Sequence, residues 1–132
     1  MALQLSTTVR NNRLDQIEST VGVSAKLYIF SGAVTANCAA ADPTGLLVTM
    51  TLPSDWMNAA SGGQKTLLGS WSATASAAGT AQSFRIKDNA GTTCHLQGTV
   101  GLGSGDLSLD NTSIANGQTV TIVTFTLTDG NA

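Results

Sequence analysis

Thr119-Val120-Thr121-Ile122-Val123-Thr124-Phe125-Thr126-Leu127-Thr128 is the stretch that decides the fold. Val123, Phe125 and Leu127 fall on one side of an extended chain, and Thr124, Thr126 and Thr128 on the other. Neighbouring side chains of a strand point to opposite faces, so one face is apolar and one hydroxylated. Threonine suits the wet face, because its β-branch favours extended backbone while its hydroxyl tolerates water. Working back along the chain, Leu107 and Leu109 mark a short strand, and Asp110-Asn111 and Asn116-Gly117 punctuate the loop after it. Ala81 to Lys87 alternates Phe84 and Ile86 against Ser83, Arg85 and Lys87. Asp88-Asn89-Ala90-Gly91 then turns the chain into a return strand, Thr92 to Val100, which predicts a hairpin. Gly101 to Gly105 reads as a loose loop.

The first half carries further strands. Thr66 to Ala75 reads as one strand containing Trp71, and Leu46 to Leu52 as another. Val23, Ala25, Leu27 and Ile29 share a face opposite Lys26, Tyr28 and Phe30, so this strand should be covered on both sides. Ser31 to Asp42 is a loop closed by Asp42-Pro43-Thr44-Gly45, and Pro53-Ser54-Asp55 leads into a short helical piece at Trp56-Met57. Seven to eight short strands at this spacing predict a mainly β chain, an antiparallel β-sandwich or barrel.

Residues 1–22 differ. Leu14, Ile17 and Val21 recur at helical spacing, with Arg10 one turn earlier. Ser6, Thr7 and Thr8 offer N-caps and Gly22 a left-handed C-terminal cap, which predicts an N-terminal α-helix over about 7–21. The chain therefore divides into an N-terminal arm and helix, 1–22, and a β-body, 23–132. The stripe is too short to stabilise the helix alone, so it docks either on its own body or on another molecule. In the second case Arg10, Arg13, Leu14, Ile17 and Val21 are the contact residues for a partner or another copy. Trp56 stands evenly between core plug and partner contact.

Composition narrows the functions. Only 11% of the 132 residues are charged, against about 25% in an average soluble domain, while 13 Ser, 19 Thr and 14 Gly fill the gap. A net charge of −2 offers no basic surface for phosphates, so nucleic acid is not an expected partner. No apolar run is long enough to span a membrane, and Met1 to Ser6 does not read as a secretory signal, so the chain is expected to be made in a cytoplasm.

Reactive residues are few. Cys94-His95 lies on a strand, where adjacent side chains diverge, so Cys94 is expected inside with Leu96 and Val100, and His95 outside. Cys38 could pair with Cys94; a reducing cytoplasm opposes the bond and release into an oxidising medium permits it. Two Cys and one His match no zinc pattern, so no metal or cofactor is expected. Asp106 and Asp110 lie four apart, but the stretch lacks the ordered oxygen ligands of a calcium loop and reads as turn chemistry. Gly101-Leu102-Gly103-Ser104-Gly105 lacks the Lys-Ser/Thr ending and following helix of a phosphate loop.

Several segments, in order along the whole chain, resemble small structural proteins of tailed bacteriophages. They are the helix from Leu5-Ser6-Thr7-Thr8 to Leu14, the loop Ala36 to Asp42, and Leu52-Pro53-Ser54-Asp55-Trp56-Met57. Phe84-Arg85-Ile86 running into Gly91 to Val100, and Leu109 to Ile114 followed by Gly117 to Ile122, complete the set. The resemblance implies a virion component without enzymatic activity, made in the host bacterial cytoplasm. The first expectation is a capsid decoration or cement protein that binds the major capsid protein and stabilises the head shell, as a homo-oligomer such as a trimer. Deleting residues 1–21 is then expected to abolish particle binding and leave the body folded. The alternatives are a tail-associated subunit (tube, terminator or fibre-associated) bound to tail proteins, and a host-surface or glycan-binding module presenting Trp56, Tyr28 or Trp71.

Overall fold

The computed structural model describes residues 3–130. One helix, α1 (Thr7–Val21), precedes ten strands: β1 (Lys26–Phe30), β2 (Leu46–Thr51), β3 (Gln64–Thr66), β4 (Ser72–Thr74), β5 (Gly79–Thr80), β6 (Ser83–Lys87), β7 (Cys94–Gly101), β8 (Leu107–Leu109), β9 (Ser113–Ile114) and β10 (Thr119–Thr128). Ser6 caps α1 by accepting from the Val9 amide at 3.2 Å. Gly22, at φ +94°, ends it by donating to the Glu18 carbonyl. Both signals are those the sequence offered.

The large sheet runs β2-β1-β6-β7-β8-β10-β3, with β4 also paired to β10; β5 and β9 form a small second sheet. The protein is thus mainly β with one N-terminal helix. The sheet curls until its ends approach: the Ser76 amide, just past β4, donates to the Leu47 carbonyl of β2 at 2.9 Å. The expectation of a wholly antiparallel sheet needs correction, because β7 and β8 run parallel, pairing Val100 with Leu107 and Gly101 with Ser108. Gly101 to Asp106 loops back on the end of β7 instead of crossing over, and Asp106 fastens it: its carboxylate accepts from the Thr99 amide and hydroxyl.

Three bulges change which residues face inward. In β10 the register against β8 shifts between Ile122 and Thr124. Val120 and Ile122 are therefore buried before the shift and Phe125 after it, while Val123 is 55% exposed. Val123 does not share the inward face of Phe125 and Leu127, because an inserted residue reverses the phase of everything after it. In β7 the register against β6 shifts so that Ile86 faces Leu96 but Lys87 faces Cys94. Cys94 thus joins Lys87 and Arg85 on the outer face, not Leu96 on the inner one. Cys94 and His95 are both half-buried, where burial and exposure were expected. A third shift, in β2, buries both Leu47 and Val48.

The stretch from 64 to 75 follows β10 for its whole length but leaves it at 68–70, so the strand expected over 66–75 is two short ones. Gly69, at φ +79° against Pro53, makes that excursion. No helical turn forms at Trp56-Met57; Met57 instead bridges to Leu67.

The core lies inside the curl. Trp71 is its hub, 5.9 Å from Trp56 and 5.6 Å from Phe125, and Phe125 meets Phe84 edge-on at 5.7 Å. Leu27, Ile29, Val48, Met50 and Ile86 are among the aliphatic side chains packed with it. Both indole N–H groups are satisfied by carbonyls, Trp56 by Gly22 and Trp71 by Leu68. Trp56 is a core plug.

Candidate functional site

α1 docks on its own body, closing the choice between docked and projecting helix. Leu14 and Val21 are buried at 3% and 4%, and Ile17 is half-buried. Most of the attachment is polar. Asn11 accepts from the Gly63 amide, Asp15 from Ala60 and Glu18 from Met57. Lys65 of β3, only 2% exposed, donates to Asp15 at 2.7 Å, to the Asn58 carbonyl at 2.9 Å, and meets Glu18 at 2.8 Å. Burial alone would lower the Lys65 pKa, but the two carboxylates overcome it and hold the ammonium above its usual value. The Lys65 hydrogen bond, then the Ala60 amide, hold Asp15 below the usual carboxylate range. At the other end, Arg10 donates to the Asp129 carbonyl and Arg13 pairs with the Asp129 carboxylate at 3.1 Å.

Of the six contact residues expected from the sequence, Leu14, Val21 and Trp56 are therefore turned into the chain's own core. This corrects their placement as partner contacts: no second molecule reaches them while α1 is docked. Arg10 and Arg13 are engaged with Asp129, although Arg13 stays 60% exposed. Ile17 lies in a groove of about 200 Å³ between α1 and β7, lined also by Arg13, Thr20, His95 and Leu96. Deleting residues 1–21 would strip Lys65 of both carboxylates, so the body is not expected to fold unharmed without them.

A second polar cluster lies on the outer face of β1, β6 and β7. Every residue of β6 is buried, because the loop 31–45 covers the strand's polar side. Arg85 organises the cover. It donates to the carbonyls of Ala40 and Asn37, to Asp42, and to the side chains of Thr35 and Gln97, all within 2.7–3.1 Å. Lys87 reaches Asp42 at 2.8 Å and stands over the Tyr28 ring at 4.9 Å. The Lys87 hydrogen bond leads in holding the Asp42 carboxyl below its usual range. Cys38 in the loop and Cys94 on the bulge form a disulfide, with Cα atoms 5.3 Å apart. The sequence left this bond open and gave no sign of Arg85, whose alternating position reads as a solvated one.

Three further acids serve the backbone. Asp106 fastens Thr99, Asp110 accepts from the Thr121 amide, and Asp88 accepts from Thr92 and Thr93 to close the hairpin turn. Among the described residues no group of three His, Cys, Asp or Glu side chains gathers as a metal centre would require. A cleft of about 620 Å³ lies beside α1 and is lined by Asp15, Glu18, Val23, Asp55, Met57 and Lys65. Its one cation is already engaged by two carboxylates. No helix among the described residues is long and apolar enough to cross a membrane.

No protein-family model matches the chain, and neither a curated protein nor a solved structure matches it.

Proposed function

We propose that the chain is a non-enzymatic structural subunit of a bacteriophage particle, a decoration or cement protein that binds the major capsid protein and repeats as a homo-oligomer. One observation carries this reading: the fold draws charge inward. Lys65, Arg85 and Lys87 are three of the six cations, and all are buried in internal ion pairs. The surface is thus poorer in charge than the composition. Copies of such a surface repel one another weakly, which suits dense packing on a lattice and disfavours a solitary protein. The Cys38–Cys94 bond adds support, since it suits a chain made in a bacterial cytoplasm and released within a particle into an oxidising medium. We read the curled sheet as an open member of the sandwich and barrel class, a rigid tile with loops at both ends.

The glycan-binding alternative loses its footing, because Trp56 and Trp71 lie in the core and Tyr28 stacks on Phe30 beside Lys87. The test is electron microscopy of purified particles carrying the chain with a gold-binding tag. Label across the head shell is expected; label along the tail moves the subunit to the tail. Particles that lack the chain overturn the structural reading.

A further inference from the structure

The Cys38–Cys94 bridge lies on the outer face of the sheet, away from the core, and both residues are only half-buried. We propose that it is a site of reversible thiol–disulfide exchange, opened and closed in the folded chain by small thiols and disulfides. Arg85 is the positioning residue that keeps the two sulfurs together while the bond is open. The inference goes beyond the virion reading and does not depend on it.

The bonds that hold Cys38 do not involve its sulfur. The ends of its loop are joined by backbone, Ser31 donating to the Gly45 carbonyl and Gly32 to the Thr44 carbonyl, both at 2.9 Å. Cys38 sits in a tight turn in which the Asn37 side chain accepts from the amides of Ala39 and Ala40. Arg85 grips that turn on both sides of the cysteine, donating to the carbonyls of Asn37 and Ala40 at 3.0 Å each. Gln97 of β7 adds a bond to the Thr35 carbonyl at 2.8 Å. Cys94 is fixed by β7, where it pairs with Lys87 of β6. One strand, β6, thus sets both cysteines, with their Cα atoms 5.3 Å apart. A bridge spans that distance without backbone movement.

Opening the bond therefore leaves two thiols in place, not a free loop. In the unfolded chain the sulfurs must find each other across 56 positions. The loop entropy already lost on folding raises the effective concentration of one sulfur at the other by about a thousandfold. Exposed bridges are the ones that exchange, and this one can do so without disturbing the core.

Closure runs in two exchanges. One cysteine thiolate attacks a sulfur of a small disulfide, forming a mixed disulfide and releasing one small thiol. The other cysteine thiolate then attacks the protein sulfur of the mixed disulfide and releases the second. The two cysteines are oxidised, the small disulfide is reduced to two thiols, and the cysteine protons pass through water to the leaving thiolates. Small thiols in excess run the same steps backwards.

The test uses the whole chain, reduced and freed of reductant, with circular dichroism to confirm its fold. Oxidised glutathione is added, and acid-quenched samples are weighed by mass spectrometry. The bridged chain is expected to form with less than about a tenth of the protein ever present as the single-glutathione adduct. In glutathione buffers the effective thiol concentration should be at least about a hundredfold higher in the folded chain than in concentrated urea. Arg85→Lys should let the adduct accumulate and slow its closure at least about tenfold, an effect that lost stability alone would not produce in molecules still folded. Gln97→Ala, which frees Thr35 and leaves every charge in place, should slow closure in the same direction. A wild-type chain that unfolds on reduction, or that accumulates the adduct, overturns the proposal. Closure as fast in both folded variants as in the wild type overturns the role of Arg85 and with it the proposal. None of these outcomes bears on whether the chain belongs to a virion.

Discussion

Opening the Cys38–Cys94 bridge should lower the stability of the fold by about 4 kcal/mol. The bond closes a loop across 56 positions. The chain-entropy relation gives about 14 cal/mol/K for a loop of that length, or about 4 kcal/mol at 25 °C. The effect belongs mainly to the unfolded chain, which gains freedom when the tether is cut. In the folded chain the covering loop stays pinned by the four hydrogen bonds that Arg85 makes to Thr35, Asn37, Ala40 and Asp42. Two measurements separate these contributions. In urea, with a slope of about 2 kcal/mol/M for a chain of this size, the midpoint should fall by about 2 M on adding reductant or in Cys38→Ser/Cys94→Ser. Native-state hydrogen exchange should meanwhile show amides 31–45 nearly as protected by local opening as before. Midpoints that agree to within about 0.3 M would refute the entropy argument. A loop that exchanges freely once reduced would show that the disulfide, and not Arg85, holds the cover in place.

Four further outcomes follow from the ion pairs and the core. Asp15→Ala/Glu18→Ala leaves Lys65 buried without a counter-ion, and should cost about 3–5 kcal/mol, read as a fall in Tm of more than about 10 °C. Arg85→Lys keeps the charge but loses the planar fork, and should speed amide exchange across 35–42 in the reduced chain about tenfold or more. Asp15 and Asp42 ionise more readily folded than unfolded, so their stabilisation is complete above the unfolded carboxylate value and drains away as pH falls below about 4. Lys65 shifts the opposite way, so its share persists to about pH 10 and is lost above that; a urea-midpoint profile flat between about pH 5 and 9 checks both signs. Trp56→Ala removes a fully buried ring and the hydrogen bond to Gly22, and should cost about 3–5 kcal/mol by urea titration, whatever ligand is present.

Local signals survived the passage from sequence to structure, and long-range ones did not. The ends of α1 were legible because Ser6 and Gly22 act within one turn of the residues they cap. The β6–β7 hairpin was legible because its turn is four residues long. Bulges defeat the period-two reading: nothing in Thr119 to Thr128 announces that the phase reverses at Val123, and the same holds for Cys94 beside His95. Covering by distant chain defeats it too. Arg85 occupies a position whose alternation is correct, and Lys65 falls just before the strand expected from Thr66, yet each is enclosed by a segment more than 40 residues away in the chain. Trp56 stood evenly between core plug and partner contact because its own partner, the Gly22 carbonyl, is 34 residues off.

The bond from Arg10 to the Asp129 carbonyl joins positions 119 apart, which sets the first turn of α1 against the chain just past β10. The order of the elements along the chain is therefore not the only one this architecture allows. A short linker between the ends, with a new opening at the exposed Leu102-Gly103-Ser104 loop, should give a circularly permuted protein with the same core. In that permutant α1 would become an internal element, tethered from both sides.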